Sequence, residues 1–351
     1  MNFRPFLIVL LTIFTLTACS TRDDDGTTDG LDNCLNFGES QLKITIQESF
    51  TTLPSKVSVF FKVNDNAGNA VPGLLGSNFR VFEKGRNDDC FNEISSAESS
   101  ADISSNAQIF TNSTFLVLDL SNSVLSSSLP ELKQASVSFI NNVMPATPTE
   151  ATKMGIYWFD GQDELHLLEP ITNSITDLED AVNGITTDIS SDPSTDLYGA
   201  VIKSSEIANA TVTAFENQSI FAAASVVIFT DGTDQAARYT KAQALSSVRN
   251  SNDDVSFFTI GLGSEIDSTT LSEIGITGSV VASNTAELEQ VFNQVSDNVA
   301  GQANSFYLFE YCSPKRDGSG RNELVIQAFD GDRQGAVETA FDATDFTGGC
   351  Q

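Results

Sequence analysis

Residues 114–123 have the sequence TFLVLDLSNS, an apolar run that ends in a string of oxygen-bearing side chains. The run up to Asp119 is continuous rather than alternating, which is typical of a strand buried on both faces. Similar apolar runs occupy 153–159, 164–168, 224–230 and 254–263, and helical patterns lie at 130–144, 241–249 and 286–300. This alternation predicts an α/β fold, a doubly wound and mostly parallel sheet with helices on both faces.

Polar side chains follow the predicted strands at points where such sheets form binding sites. Asp119, Ser121 and Ser123 have the spacing D-x-S-x-S after the first strand. Thr195 stands at the start of a later helix, and Asp231 directly follows the strand at 224–230. Taken singly, each residue also fits a helix cap or a turn. All five together favour a site for a hard divalent cation, which prefers oxygen ligands.

This set of loops resembles the metal-ion-dependent adhesion site of von Willebrand factor type A (VWA) domains, over about residues 112–302. The resemblance implies a Rossmann-like VWA domain that binds Mg²⁺, or Mn²⁺ or Ca²⁺, as its cofactor. The implied metal ligands are Asp119, Ser121, Ser123, Thr195 and Asp231. It also implies a protein partner that supplies an Asp or Glu carboxylate to the metal.

Both flanks of this domain have β-strand patterns. Apolar residues alternate with polar ones at 41–47, 56–63 and 79–82 before it, and at 305–311, 323–329 and 335–341 after it. Either strand-bearing segment alone, 35–95 or 303–351, is too small to bury a sheet face. Residues 35–111 would supply the N-terminal part of a sandwich and a linker. We therefore predict one all-β sandwich formed by the N- and C-terminal flanks, with the domain at 112–302 inserted in it.

The chain begins MNFRPFLIVLLTIFTLTACS, a basic start and an apolar run before Cys19. This resembles the bacterial lipobox, and it predicts a signal peptide at 1–18 and a lipid-anchored Cys19 in the membrane. An ordinary signal peptide is the alternative. Ser20 in place of Asp favours the outer over the inner membrane of a bacterial cell envelope. Residues 19–34 are acidic and are predicted to form a flexible tether, in preference to half of a calcium-binding repeat.

Four further cysteines suit an exported, disulfide-bonded chain, and they allow three connectivities. They are Cys34, Cys90, Cys312 and Cys350. We predict the local pairs Cys34–Cys90 and Cys312–Cys350, with the two crossed pairings as alternatives. Their wide spacing disfavours metal binding.

Composition excludes several functions. Asp and Glu number 47 against 18 Lys and Arg, a formal net charge of −29 that repels phosphate backbones and argues against a nucleic-acid partner. The single histidine, His166, falls within a predicted strand, and no nucleophile motif is present. We therefore expect no enzyme and no small-molecule substrate. Two functions remain: an adhesion-type protein-binding module, or an envelope assembly scaffold that grips another subunit through the same site.

Overall fold

The computed structural model describes residues 34–95, 100–104, 109–316 and 320–348. The strands are β1 (Leu42–Thr52), β2 (Lys56–Asp65), β3 (Phe79–Lys84), β4 (Asn92–Ile94), β5 (Asp102–Ser104), β6 (Phe110–Asp119), β7 (Thr152–Phe159), β8 (His166–Thr172), β9 (Phe221–Thr230), β10 (Val255–Leu262), β11 (Gly278–Ala282), β12 (Phe306–Cys312), β13 (Arg321–Asp330) and β14 (Arg333–Asp342). The helices are α1 (Asn122–Ser127), α2 (Leu129–Val143), α3 (Ile175–Asn183), α4 (Leu197–Glu216), α5 (Lys241–Arg249), α6 (Ser268–Ile274) and α7 (Leu288–Ala303).

The central sheet has the order β11-β10-β9-β6-β7-β8, and every pair is parallel except β7 with the edge strand β8. Successive side chains of β6 point to opposite faces. Leu116 packs in one core with Phe139 of α2 and Phe292 of α7, whereas Val117 packs in another with Val201 of α4. Both faces are therefore covered by helices, and the predicted doubly wound α/β fold is confirmed.

Two four-stranded antiparallel sheets, β1-β2-β12-β5 and β14-β13-β3-β4, form the flanks. Each sheet combines strands from both ends of the chain, because β12 pairs with β2 and β13 pairs with β3. Val59, Val81, Phe309 and Ile326 share one core between the sheets. The predicted sandwich with an inserted α/β domain is confirmed. The domain limits of 112 and 302 stay predictions; the nearest element ends are Phe110, where β6 begins, and Ala303, where α7 ends.

Four phenylalanines join the sandwich to the inserted domain. Phe60 of β2 and Phe306 of β12 pack on Phe110 and Phe221, which begin β6 and β9. The sandwich therefore lies at the amino ends of the parallel strands. Strand β6 has 10 residues, so its carboxyl end is about 30 Å farther away. Among the helices of the described residues, none is long and apolar enough to span a bilayer.

A disulfide joins Cys34 to Cys90, with the Cα atoms 5.6 Å apart, which confirms one predicted pair. Cys312 is also disulfide-bonded. Its predicted partner Cys350 lies outside the described residues, so that pairing stays a prediction. The predicted signal peptide, Cys19 and most of the tether also lie outside the described residues.

Candidate metal centre

Asp119 ends β6 at the carboxyl edge of the central sheet and is completely buried. One of its carboxylate oxygens, Oδ1, accepts a hydrogen bond from the backbone N–H of Ser121 at 2.9 Å, which turns the chain sharply after the strand. Ser121 precedes α1 in the N-cap position, but its hydroxyl makes no capping hydrogen bond. That hydroxyl lies 3.2 Å from the Ser123 hydroxyl instead. A capping role therefore does not account for Ser121.

The loop after β9 reaches the same place. The Thr230 hydroxyl donates to the other carboxylate oxygen of Asp119, Oδ2, at 2.6 Å. The Ser123 hydroxyl donates to Oδ1 of Asp231 at 2.9 Å. Hydrogen bonds thus connect Asp119, Ser121, Ser123 and Asp231 into one continuous cluster.

Thr195 is positioned by backbone contacts with both other loops. Its carbonyl oxygen accepts from the N–H groups of Gln235 and Ala236 at 2.8 and 3.0 Å, just beyond Asp231. A side chain added at Gly232 would place its Cβ 3.9 Å from the Thr195 hydroxyl oxygen. The loop that carries Thr195 also contacts the loop after β6, because the N–H of Asn122 donates to the Pro193 carbonyl at 3.2 Å. The structure therefore gathers all three loops that carry the five predicted ligands.

The two carboxylates of the cluster have no positive counter-charge among the described residues. Burial raises the pKa of Asp119 to about 7, and the negative charge of Asp231 adds to the shift. Burial also raises the pKa of Asp231, as does Glu265 nearby, while the Ser123 hydroxyl opposes the shift. In the described part of the chain, no ion pair involves Asp119 or Asp231.

This donor set fits a hard divalent cation, because its side chains offer carboxylate and hydroxyl oxygens and the carboxylates form no ion pair within the described residues. No group of three or more His, Cys, Asp or Glu side chains suited to a metal exists within the described residues. A metal here would therefore depend on the serine and threonine hydroxyls as well as on the two carboxylates.

A family model for the von Willebrand factor type A domain matches residues 115–297. The chain belongs to the VWA family. The match spans β6 to α7, so it includes all three loops of the cluster. A comparison with curated proteins finds no match.

Several solved structures are similar to the VWA chain. One is a von Willebrand factor type A protein from Catenulispora acidiphila, with 11% identity, 86% of this chain and 72% of that chain covered, and a TM-score of 0.46. Another is proximal thread matrix protein 1 from the mussel byssus with a zinc-occupied MIDAS motif. It has 14% identity, covers 55% of this chain and 48% of the mussel chain, and has a TM-score of 0.45. A third is the manganese-loaded TRAP protein of Plasmodium vivax. It has 13% identity, covers 70% of this chain and 98% of the TRAP chain, and has a TM-score of 0.39. The chain thus spans about half of the mussel protein.

Two positioning residues of the VWA domain were not predicted from the sequence. Thr230 fixes the Asp119 carboxylate, and only its place directly before Asp231 could have indicated this. Asp160, directly after β7, is buried and accepts from the Ser190 hydroxyl at 2.8 Å, and its carbonyl oxygen accepts from the N–H of Asp196 at 2.8 Å. It thereby fixes the loop that carries Thr195. An apolar strand followed by an Asp was the available signal.

His166 lies apart from the hydrogen-bonded cluster. Its ring stacks on Trp158, with the ring centroids 4.0 Å apart, in the edge strand β8. Its Nε2 atom lies 3.9 Å from a carboxylate oxygen of Asp160. This placement accords with its interpretation as a strand residue.

Proposed function

We propose that this protein is a divalent-cation-dependent protein-binding module of the adhesion type. Ser121, Ser123 and Thr195 would hold Mg²⁺, or Mn²⁺ or Ca²⁺, through their hydroxyls, and Asp119 and Asp231 would hold it directly or through water. The observation that carries the proposal is the hydrogen-bonded cluster of two carboxylates and serine hydroxyls at the sheet edge, without a basic counter-charge.

The chemistry of the donor set defines what the partner must supply. A divalent cation held mainly by neutral hydroxyls keeps much of its positive charge. Such an ion would bind a carboxylate from an Asp or Glu of the partner in its remaining position. The chain's own contribution is to fix the donors: Thr230 orients Asp119, and Asp160 orients the loop that carries Thr195.

We assign binding rather than catalysis. The one histidine of the chain stacks on Trp158, and no nucleophile motif was found in the sequence. The family to which the chain belongs consists generally of interaction modules. The alternative function, an assembly scaffold of the cell envelope, would use the same site to bind another subunit. The identity of the captured partner would distinguish this scaffold from an adhesin.

We further propose that acylated Cys19 anchors the protein to the outer membrane of a bacterial cell envelope, through the acidic tether. The sandwich would then serve as a pedestal, because it lies at the amino ends of the parallel strands and the metal centre lies at their carboxyl ends. The intact mass of the membrane-extracted protein tests the anchor, since a product without acyl mass contradicts it.

A pull-down from envelope proteins in Mg²⁺ or in chelator tests the binding function. We expect a partner to be captured only with Mg²⁺, and capture to be lost in the variant Asp119→Ala. The matched control is Asp332→Ala, which removes an exposed carboxylate from the turn between β13 and β14. Capture that persists in chelator, or equal capture by Asp119→Ala and the control, contradicts the proposal.

A further inference from the structure

A second concave site lies between the sandwich and the VWA domain, at the opposite end of the central sheet from the metal centre. It is a cleft of about 640 Å³, within the range of pockets that hold small organic molecules. Phe221, which begins β9, lines the cleft, whereas Thr230, which ends β9, contacts Asp119. The cleft is therefore separated from the metal centre by about the length of one strand, roughly 30 Å.

Apolar side chains that the protein leaves partly uncovered form the walls of this cleft. Phe50 from the sandwich and Ile109 and Phe221 from the VWA side are only half-buried, although they pack on a buried apolar cluster. The Phe60 ring packs against the Phe221 ring, with the ring centroids 4.8 Å apart. The walls therefore present fixed aromatic surface that an apolar group can cover.

Acidic side chains line the cleft. Glu48, Glu216 and Asp254 line it, and no Lys or Arg is among the lining residues. Burial raises the pKa of Asp254, and the negative charge of Glu216 raises it further, while Lys62 opposes the shift. The cleft therefore combines aromatic walls with carboxylates, an arrangement that suits a cationic group.

The protein already places one cation at the border of the cleft. The ammonium nitrogen of Lys62 lies 4.9 Å from the centroid of the Phe306 ring, which also lines the cleft. Asp254 attracts this ammonium group and raises its pKa, although burial lowers it more. An aromatic face therefore lies beside this ammonium group, and a carboxylate attracts it.

We propose that this cleft binds an amphipathic organic cation. Its apolar body would cover Phe50 and Phe221, and its cationic group would lie towards Glu48 and Glu216. Organic anions of the same size would be repelled by Glu48 and Glu216. The inference is independent of the proposed metal-dependent function, since it involves none of the predicted metal ligands.

Calorimetric titration of the folded chain with benzyltrimethylammonium, in chelator, tests the proposal. Benzenesulfonate is the anionic probe of similar size. We expect saturable binding of the cation alone at millimolar concentrations and a loss of about tenfold in affinity in the double variant Glu48→Gln/Glu216→Gln, which removes two exposed charges. Phe50→Ala should weaken binding as well.

The control variant Asp332→Ala lowers the negative charge of the chain away from the cleft and should bind the cation like wild type. The variants should retain the circular dichroism spectrum and the Mg²⁺ affinity of the wild-type protein. Equal binding of benzenesulfonate, unsaturable binding of benzyltrimethylammonium, or equal affinities in wild type and the double variant would overturn the proposal.

Discussion

Replacing Thr230 with Val removes one hydroxyl group and nearly preserves the volume of the side chain. The hydroxyl is fully buried, donates to the Asp119 carboxylate at 2.6 Å and accepts from the N–H of Gly232 at 3.2 Å. Hydrogen bonds to charged groups contribute about 1.5–3 kcal/mol. We therefore expect the free energy of unfolding to fall by about 2–3 kcal/mol, and metal affinity to fall about 10- to 100-fold because Asp119 loses its orientation.

Thr114→Val is the matched control, because it makes the same chemical change in the same sheet. The Thr114 hydroxyl is also fully buried, but it has no hydrogen-bond partner among the described residues. Its removal should leave stability unchanged or raise it slightly, and should leave metal affinity unchanged. Urea unfolding in chelator and calorimetric Mg²⁺ titration measure both quantities, and Thr230→Ser should restore much of each. Indistinguishable results for Thr230→Val and Thr114→Val would refute the positioning role of Thr230.

Three other variants probe the support of the Thr195 loop, the aromatic joint between sandwich and VWA domain, and a buried carboxyl group of the sandwich. Asp160→Ala should lower Mg²⁺ affinity about tenfold in calorimetry, because the carboxylate that accepts from Ser190 in the loop before Thr195 is lost. Exposed Glu164→Ala is its control, and equal losses would contradict this role. Phe60→Ala should cost about 3–5 kcal/mol and split the calorimetric unfolding of sandwich and VWA domain, and a single unshifted transition would contradict the aromatic joint. Burial raises the pKa of Glu83, so between its unfolded and folded pKa the native state retains a proton that the unfolded state loses. Stability should therefore decline as pH rises through that window, and Glu83→Gln should flatten the decline in urea titrations; an unchanged slope argues against it.

The sequence predicted the sheet and its edge well because long apolar strands have few other structures available. It predicted β8 less well: the strand expected at 164–168 runs from His166 to Thr172. The observed strand includes Pro170, because an edge strand tolerates a residue without an N–H group. The sheet order, which places β8 at the edge, decides this and is a tertiary property.

The residues that meet at the sheet edge were predictable, but the residues that support them were not. Asp119, Ser121 and Ser123 share one short motif, whereas the contact of Thr230 with Asp119 joins residues 111 positions apart. The choice between a capping and a metal-binding Ser121 also needed geometry, since only the structure shows its hydroxyl turned to Ser123. The cleft between the modules could not be foreseen at all. Its carboxylates, Glu48 and Glu216, come from different modules that only folding brings together.

Calorimetric titration of Mg²⁺ into the wild-type protein and into Asp119→Ala tests the central claim most directly, with circular dichroism as the folding control. The account predicts one Mg²⁺ per chain in the wild type, and none in Asp119→Ala at an unchanged fold, because the substitution removes a carboxylate at the end of β6 without breaking the strand. Asp332→Ala should bind Mg²⁺ like wild type. Equal Mg²⁺ affinity in wild type and in a folded Asp119→Ala would contradict the assignment of the metal centre.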